Sequence, residues 1–268
     1  MKLHVLSDLE GATGVSGGWS ETGPGGRTHE FAKRMLTGDI NACAAAAFAS
    51  GATDVLVWDG HGLGLSVNVE DIDERLRLVT GRWTKNLTGL DASFSAMIIL
   101  GIHAKAGTAD GLMGSTWADQ RLFLNGQEIG EIGLFTAMAA ELGVPTVMVT
   151  GDEAACREAA ELLPGVETVA VKKGLGMYCA ELVAPKRAWA MIGEATKRAL
   201  GKVGQMPMYQ PSRPLELRAV YPRTNVVDWI AQRPGVQRLD GNTVSYTSDS
   251  IFAATSMLFY MPSWMFGS

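Results

Sequence analysis

The chain has little that would tie it to a membrane, a nucleic acid or an oxidising compartment. Its three cysteines, Cys43, Cys156 and Cys179, are odd in number, far apart and without a C-x-x-C spacing. That excludes a disulfide framework and a thiolate zinc site, and leaves buried, reduced thiols as the expectation. No apolar run reaches the length of a bilayer span. The opening residues meet Asp8 too soon for the h-region of a signal peptide, so a cytoplasmic protein is expected. Charged residues are only 19% of the total, 23 basic against 28 acidic, for a formal net charge of −5 with no basic block. Neither a nucleic acid nor an anionic membrane is an expected partner. Histidine is scarce, with four in the chain.

What is present is ample apolar material: 268 residues, 47% hydrophobic, with 32 glycines. A chain of this length buries a core without staples, and the composition is neither disordered nor collagen-like. Residues 3–7, 55–58, 95–102, 146–150 and 166–171 read as short buried strands, and residues 29–50, 130–142, 153–163 and 185–200 as helices. This alternation predicts right-handed βαβ units and an α/β fold, a three-layer α/β/α arrangement with a mostly parallel central sheet. Asn125-Gly126, between residues 121–124 and 127–129, signals a tight hairpin. Residues 11–26 and 104–116 are glycine-rich and read as loops. Prolines and glycines then cluster at 204–214, followed by strand-like runs at 215–221 and 242–247 and a helix from about 249. Two domains are expected: residues 1–206 as the α/β domain, and residues 207–268 as a smaller α+β C-terminal subdomain packed on it.

Ligands of open α/β sheets sit beyond the carboxyl ends of the strands. Here the first strand ends in Asp8-Leu9-Glu10, the second in Asp59-Gly60-His61 and the third in His103. Carboxylates and imidazoles gathered on one rim form a ligand set for a divalent transition metal. Asp59 is open between ligand, partner of His61 and turn residue. His4, inside the first strand, reads as structural, and spacing gives His29 no role. Glu131 opens a helix, where the dipole favours a carboxylate in any case. Asp8-Leu9-Glu10-Gly11-Ala12-Thr13 also comes near the Asp-x-Asp-x-Thr motif of haloacid-dehalogenase phosphatases, but that chemistry gives the strand-end histidines no task.

Leu6-Ser7-Asp8-Leu9-Glu10-Gly11, Asp59-Gly60-His61, Leu100-Gly101-Ile102-His103-Ala104 and Ile129-Gly130-Glu131-Ile132-Gly133-Leu134 together resemble the zinc-dependent D-aminopeptidases encoded with dipeptide-transport operons. The likeness includes residues 145–152 and 161–164 and fades after about residue 210. It implies two zinc ions per subunit, with Asp8 bridging and Glu10, His61, His103 and Glu131 completing the ligand set. It also implies a small peptide or aminoacyl amide substrate, attack by zinc-activated water, and a homo-oligomer, a decameric ring. That family carries a histidine, thought to act in catalysis, about a dozen residues after its second histidine ligand. Here Gly111-Leu112-Met113-Gly114-Ser115-Thr116 sets Ser115 at that position, and no histidine follows His103. The hydroxyls of Ser115 and Thr116 are the catalytic candidates left in that loop. A binding protein that kept the ligands and lost catalysis is the alternative.

Overall fold

Alternating apolar residues fix which face each strand turns to which layer. In β1 (Lys2–Ser7), Leu3 and Val5 point to one side of the sheet and Leu6 to the other. In β2 (Asp54–Asp59), Val55 and Val57 oppose Leu56 and Trp58. In β4 (Ala96–Ile102), Ala96, Ile98 and Leu100 oppose Met97 and Ile99. A strand apolar on both faces must be covered on both, and that requirement makes the layers. The computed structural model describes residues 1–62, 64–82, 85–117 and 120–259. Residues 260–268, the end of the expected C-terminal subdomain, lie outside the described residues.

The central sheet has the order β3-β2-β1-β4-β7-β8-β9, with β3 Arg77–Val79, β7 Thr146–Asp152, β8 Glu167–Gly174 and β9 Ala180–Leu182. All its pairings are parallel except β8 with β9. On one face lie α2 (His29–Ala49) and α5 (Pro185–Leu200), with Leu36, Ile40, Ile192 and Ala195 in the core. On the other lie α3 (Glu131–Glu141) and α4 (Glu153–Leu162). Four of these strands and all four helices match the expected elements closely. The short pieces α1 (Trp19–Thr22), β3 and β9 were not expected, because three or four residues carry no period to read. Among the described residues no helix is long and apolar enough to cross a membrane.

A second, antiparallel sheet lies beyond α3, in the order β11-β12-β10-β5-β6. Its strands are β5 Arg121–Leu124, β6 Gln127–Ile129, β10 Leu215–Val220, β11 Gln237–Arg238 and β12 Thr243–Ser248. Helices α6 (Thr224–Ile230) and α7 (Ile251–Phe259) complete this part. The β5–β6 hairpin pairs with β10, Leu217 opposite Leu124 and Ala219 opposite Leu122, so the second sheet joins strands from residues 121–129 to strands from residues 215–248. Leu122, Leu124, Leu217, Val244 and Ile251 share one core with α3 and α4. One correction concerns cysteine: Cys43 and Cys156 are buried, but Cys179 is exposed.

Candidate metal centre

The strand order places the site. β1 leads through α2 to β2 on one side, while β4 pairs with β1 on the other, so the sheet reverses its winding between β1 and β4. At such a switch point the loops after adjacent strands part and leave a crevice. Asp8 and Glu10 follow β1, and His103 follows β4. The two loops touch closely: the Gly11 amide donates to the Gly101 carbonyl at 2.7 Å, and the Asp8 amide to that of Leu100 at 2.8 Å. A Cβ on Gly101 would lie 2.2 Å from the Asp8 carbonyl oxygen, and one on Gly11 2.1 Å from that of Ile102. Only glycine permits that approach, and Gly101 also has φ of +69°.

Five of the expected side chains meet there. His61 Nδ1 lies 3.1 Å from Asp8 Oδ1 and 3.0 Å from Glu10 Oε2. His103 Nε2 lies 3.5 Å from Asp8 Oδ2 and 3.6 Å from Glu131 Oε1. Ligand atoms of Asp8, Glu10 and His103 all fall within 4.8 Å of one another, close enough to hold one ion. Asp8, Glu10, His61 and His103 are buried. The His103 Nδ1 lies 3.0 Å from the Ala104 carbonyl, which favours the proton on Nδ1 and leaves Nε2 for a cation. The Leu9 amide donates to Asp8 and Glu10, at 2.9 and 3.1 Å, and the Trp117 amide donates to Glu131 at 3.0 Å. Trp19 stacks on His61 with ring centroids 5.7 Å apart and planes 9° from parallel, and stays exposed enough to wall the rim.

The charges of this cluster are poised for a cation. Burial, reinforced by Glu10, pushes the Asp8 carboxyl up to about 7. Burial also raises Glu131. For Glu10, burial works upward, yet the neighbouring His61 prevails and holds it well below the usual carboxylate range. Burial acts to lower both histidines, but Glu10 and Asp8 lift His61 well above its ordinary value, and Glu131, Asp8 and Glu10 lift His103 to about 9. Protons therefore occupy positions that a divalent ion would take, and metal uptake would release them. Three carboxylates and two imidazoles, four of them buried and Glu131 half-buried at the edge, fit zinc.

The remaining candidates separate by what they touch. Ser115 Oγ is 3.4 Å from His103 Nε2, at the edge of the cluster. Thr116 Oγ1 instead accepts the Ala106 amide at 3.1 Å, which ties the loop to itself. Asp59 Oδ2 accepts from the Ser66 amide at 2.7 Å and the Thr80 hydroxyl at 3.0 Å, and so shapes the loop after β2. His29 bridges α1 and α2 through Nδ1, 2.8 Å from the Thr22 carbonyl. His4 packs edge-on against Phe94. Sequence reading passed over three buried groups that hold the site loops. Asp39 Oδ2 accepts the Thr13 amide at 2.9 Å, Lys172 Nζ donates to the Glu10 and Val15 carbonyls, and Asp152 Oδ2 accepts the Leu112 amide at 2.7 Å. An acid inside alanine-rich α2 and a lysine inside an apolar strand were the signals available.

Known proteins resemble this chain along most of its length. The family described as D-aminopeptidase matches residues 1–259, so the likeness continues past residue 210, where the sequence reading has it fade. A D-aminopeptidase of Bacillus subtilis (strain 168) is 32% identical over 248 residues, covering 91% of this chain and 89% of that protein. The solved Zn-dependent D-aminopeptidase DppA from Bacillus subtilis, described as a self-compartmentalizing protease, superposes with a TM-score of 0.91. It is 30% identical, over 96% of each chain.

Proposed function

This chain belongs to the D-aminopeptidase family, and on that premise we propose that it is a zinc hydrolase releasing an N-terminal D-residue from short peptides or aminoacyl amides. The observation that carries the proposal is the convergence of two imidazoles and three carboxylates, from four separate segments, on one buried point. Asp8 turns Oδ1 toward His61 and Oδ2 toward His103. That supports Asp8 as the residue that would bridge two ions, with Glu10, His61, His103 and Glu131 as the other residues that would hold them. Five donors exceed the four of a single tetrahedral site, which supports two ions per subunit.

When bound, zinc supplies a Lewis acid that polarises the scissile carbonyl and makes water nucleophilic near neutral pH. The chain's own groups do the rest. The buried carboxylates fix the ligand geometry and meet the substrate's free amine. Ser115 is placed to orient a water or to donate a hydrogen bond, although an unaided hydroxyl is no base at pH 7. Thr116 serves by holding the loop. Purified zinc-loaded protein should cleave D-aminoacyl amides and dipeptides, lose that activity to a chelator and regain it with zinc. Cleavage of no substrate in a panel of D and L forms would overturn the proposal.

Ser115 favours a second reading, a site that binds metal and peptide with catalysis reduced. If a general acid–base group has been lost there, Ser115→His raises turnover by about 10²–10⁴-fold. Unchanged or lower turnover assigns the serine loop to a different substrate. The self-compartmentalizing relative supports assembly of this chain into a homo-oligomer, which we propose is a ring of ten. Light scattering should then give ten times the 28.5 kDa of the chain, and a monomer would contradict it.

A further inference from the structure

Lysine is the residue least expected in the interior of a parallel strand, yet Lys172 lies in β8 between buried layers and is 2% exposed. Its strand neighbours Val169 and Val171 are buried apolar residues, so an aliphatic side chain would suit the position as a packing element. A buried cation carries a penalty of several kcal/mol unless its protons are well placed. Here they are. Nζ donates to the carbonyl of Glu10 at 2.8 Å and to that of Val15 at 2.7 Å, reaching more than 150 residues along the chain to the loop after β1.

That loop carries Asp8 and Glu10, and its own backbone bonds are sparse: Ala12 to Leu9 and Val15 to Ala12, both at 3.2 Å. Besides the Gly11 amide, which donates to the Gly101 carbonyl, further polar groups of the loop are taken by two buried side chains of opposite charge. Asp39, from α2, accepts the Thr13 amide at 2.9 Å, while Lys172, from β8, takes the two carbonyls. Asp39 also attracts Lys172 electrostatically. Bonds to charged partners are stronger than neutral ones and hold direction, so the pair clamps the loop from below its metal-facing side.

We infer that Lys172 is a positioning residue of the metal centre: by holding the Glu10 and Val15 carbonyls it sets the Asp8-Leu9-Glu10 turn in ligating geometry. The inference rests on the proposed zinc ligation by Asp8 and Glu10. It makes a prediction opposite in sign to a simple charge effect. Removing a cation near a metal site should tighten metal binding by relieving repulsion, whereas loss of a positioning group should weaken it.

The test is zinc affinity, measured by competition with a chromophoric chelator, beside the unfolding temperature of the metal-free protein. Lys172→Met, similar in length and without charge or donors, should weaken zinc binding about 10–100-fold, the usual cost of losing a group that orients ligands. The metal-free unfolding temperature should fall, because two buried carbonyls and Asp39 lose their cationic partner, with the protein still folded at the temperature of the zinc titration. A control, Ile230→Ala in α6, should lower that temperature and leave zinc affinity within about twofold, because α6 packs on β12 and carries no ligand loop. Lys172→Gln, which keeps a donor of shorter reach, should fall between wild type and the Met variant. Zinc affinity in Lys172→Met equal to or tighter than wild type would overturn the inference, as would failure of both Lys172 variants to fold, since the lysine would then serve the fold. A wild-type protein that binds no zinc would instead refute the metal centre itself.

Discussion

His4 lies in β1 and His103 just past the end of the neighbouring β4, and their surroundings drive them in opposite directions. Carboxylates around His103 lift it to about 9, whereas burial against Phe94 lowers His4 to about 4, outweighing the upward pull of one bond to the Thr88 carbonyl. His4 is thus neutral in the folded protein at a pH where the unfolded chain already binds a proton. The unfolded state gains protons first, so stability falls as pH drops below the ordinary value of 6.5 and levels off near 4. The slope from this group is about 1.4 kcal/mol per pH unit. His4→Leu should flatten the decline in metal-free stability between those limits, measured by urea unfolding at several pH values, and an unchanged slope would contradict the assignment. The metal candidates were legible because acids and histidines at strand ends have few structural uses. Asp39, Lys172 and Asp152 were not, because their partners are backbone groups of distant loops that no local pattern reveals.

Elements long enough to show a period were readable from the sequence, and short ones were not. Short continuous apolar runs, buried on both faces, marked β1, β2 and β4 as central strands, and Pro185 at the first turn marked the start of α5. The hairpin was visible through Asn125-Gly126, whose φ values of 50° and 81° suit a tight two-residue turn. Its destination was hidden. Asn125 Nδ2 donates to the Ser212 carbonyl at 2.7 Å and Oδ1 accepts the Glu216 amide at 2.8 Å, which locks the turn onto the start of β10. Asn125→Ala loses both bonds and a residue tolerant of positive φ, and should destabilise the protein by about 1–2 kcal/mol in denaturant titrations. A change below a few tenths would show that the turn does not anchor the second sheet.

At the scale of the whole molecule, the parallel sheet supplies the crevice, and the second sheet supports the wall that bears Glu131. The hairpin β5–β6 runs directly into α3, whose first residue is Glu131, and Leu122, Leu124 and Ile129 pack into the core shared with α7. At the far end of α3, Glu141 accepts the Ile251 amide at 2.8 Å and the Ser250 hydroxyl at 2.7 Å, which fastens α7 to the same helix. One candidate ligand therefore depends on strands and a helix that come more than 80 residues later in the chain. The scarcity of histidine fits this economy: of four, two stand in the cluster, one bridges α1 and α2, and one lies in the core. The proposed dinuclear zinc centre of Asp8, Glu10, His61, His103 and Glu131 has its most direct readout in the metal content of the protein. Elemental analysis of protein purified with zinc and freed of loose metal should give two zinc ions per chain, with both sites impaired in Asp8→Asn because Asp8 is their bridge. A wild-type chain holding none or one, or an Asp8→Asn chain that still holds two, would contradict it.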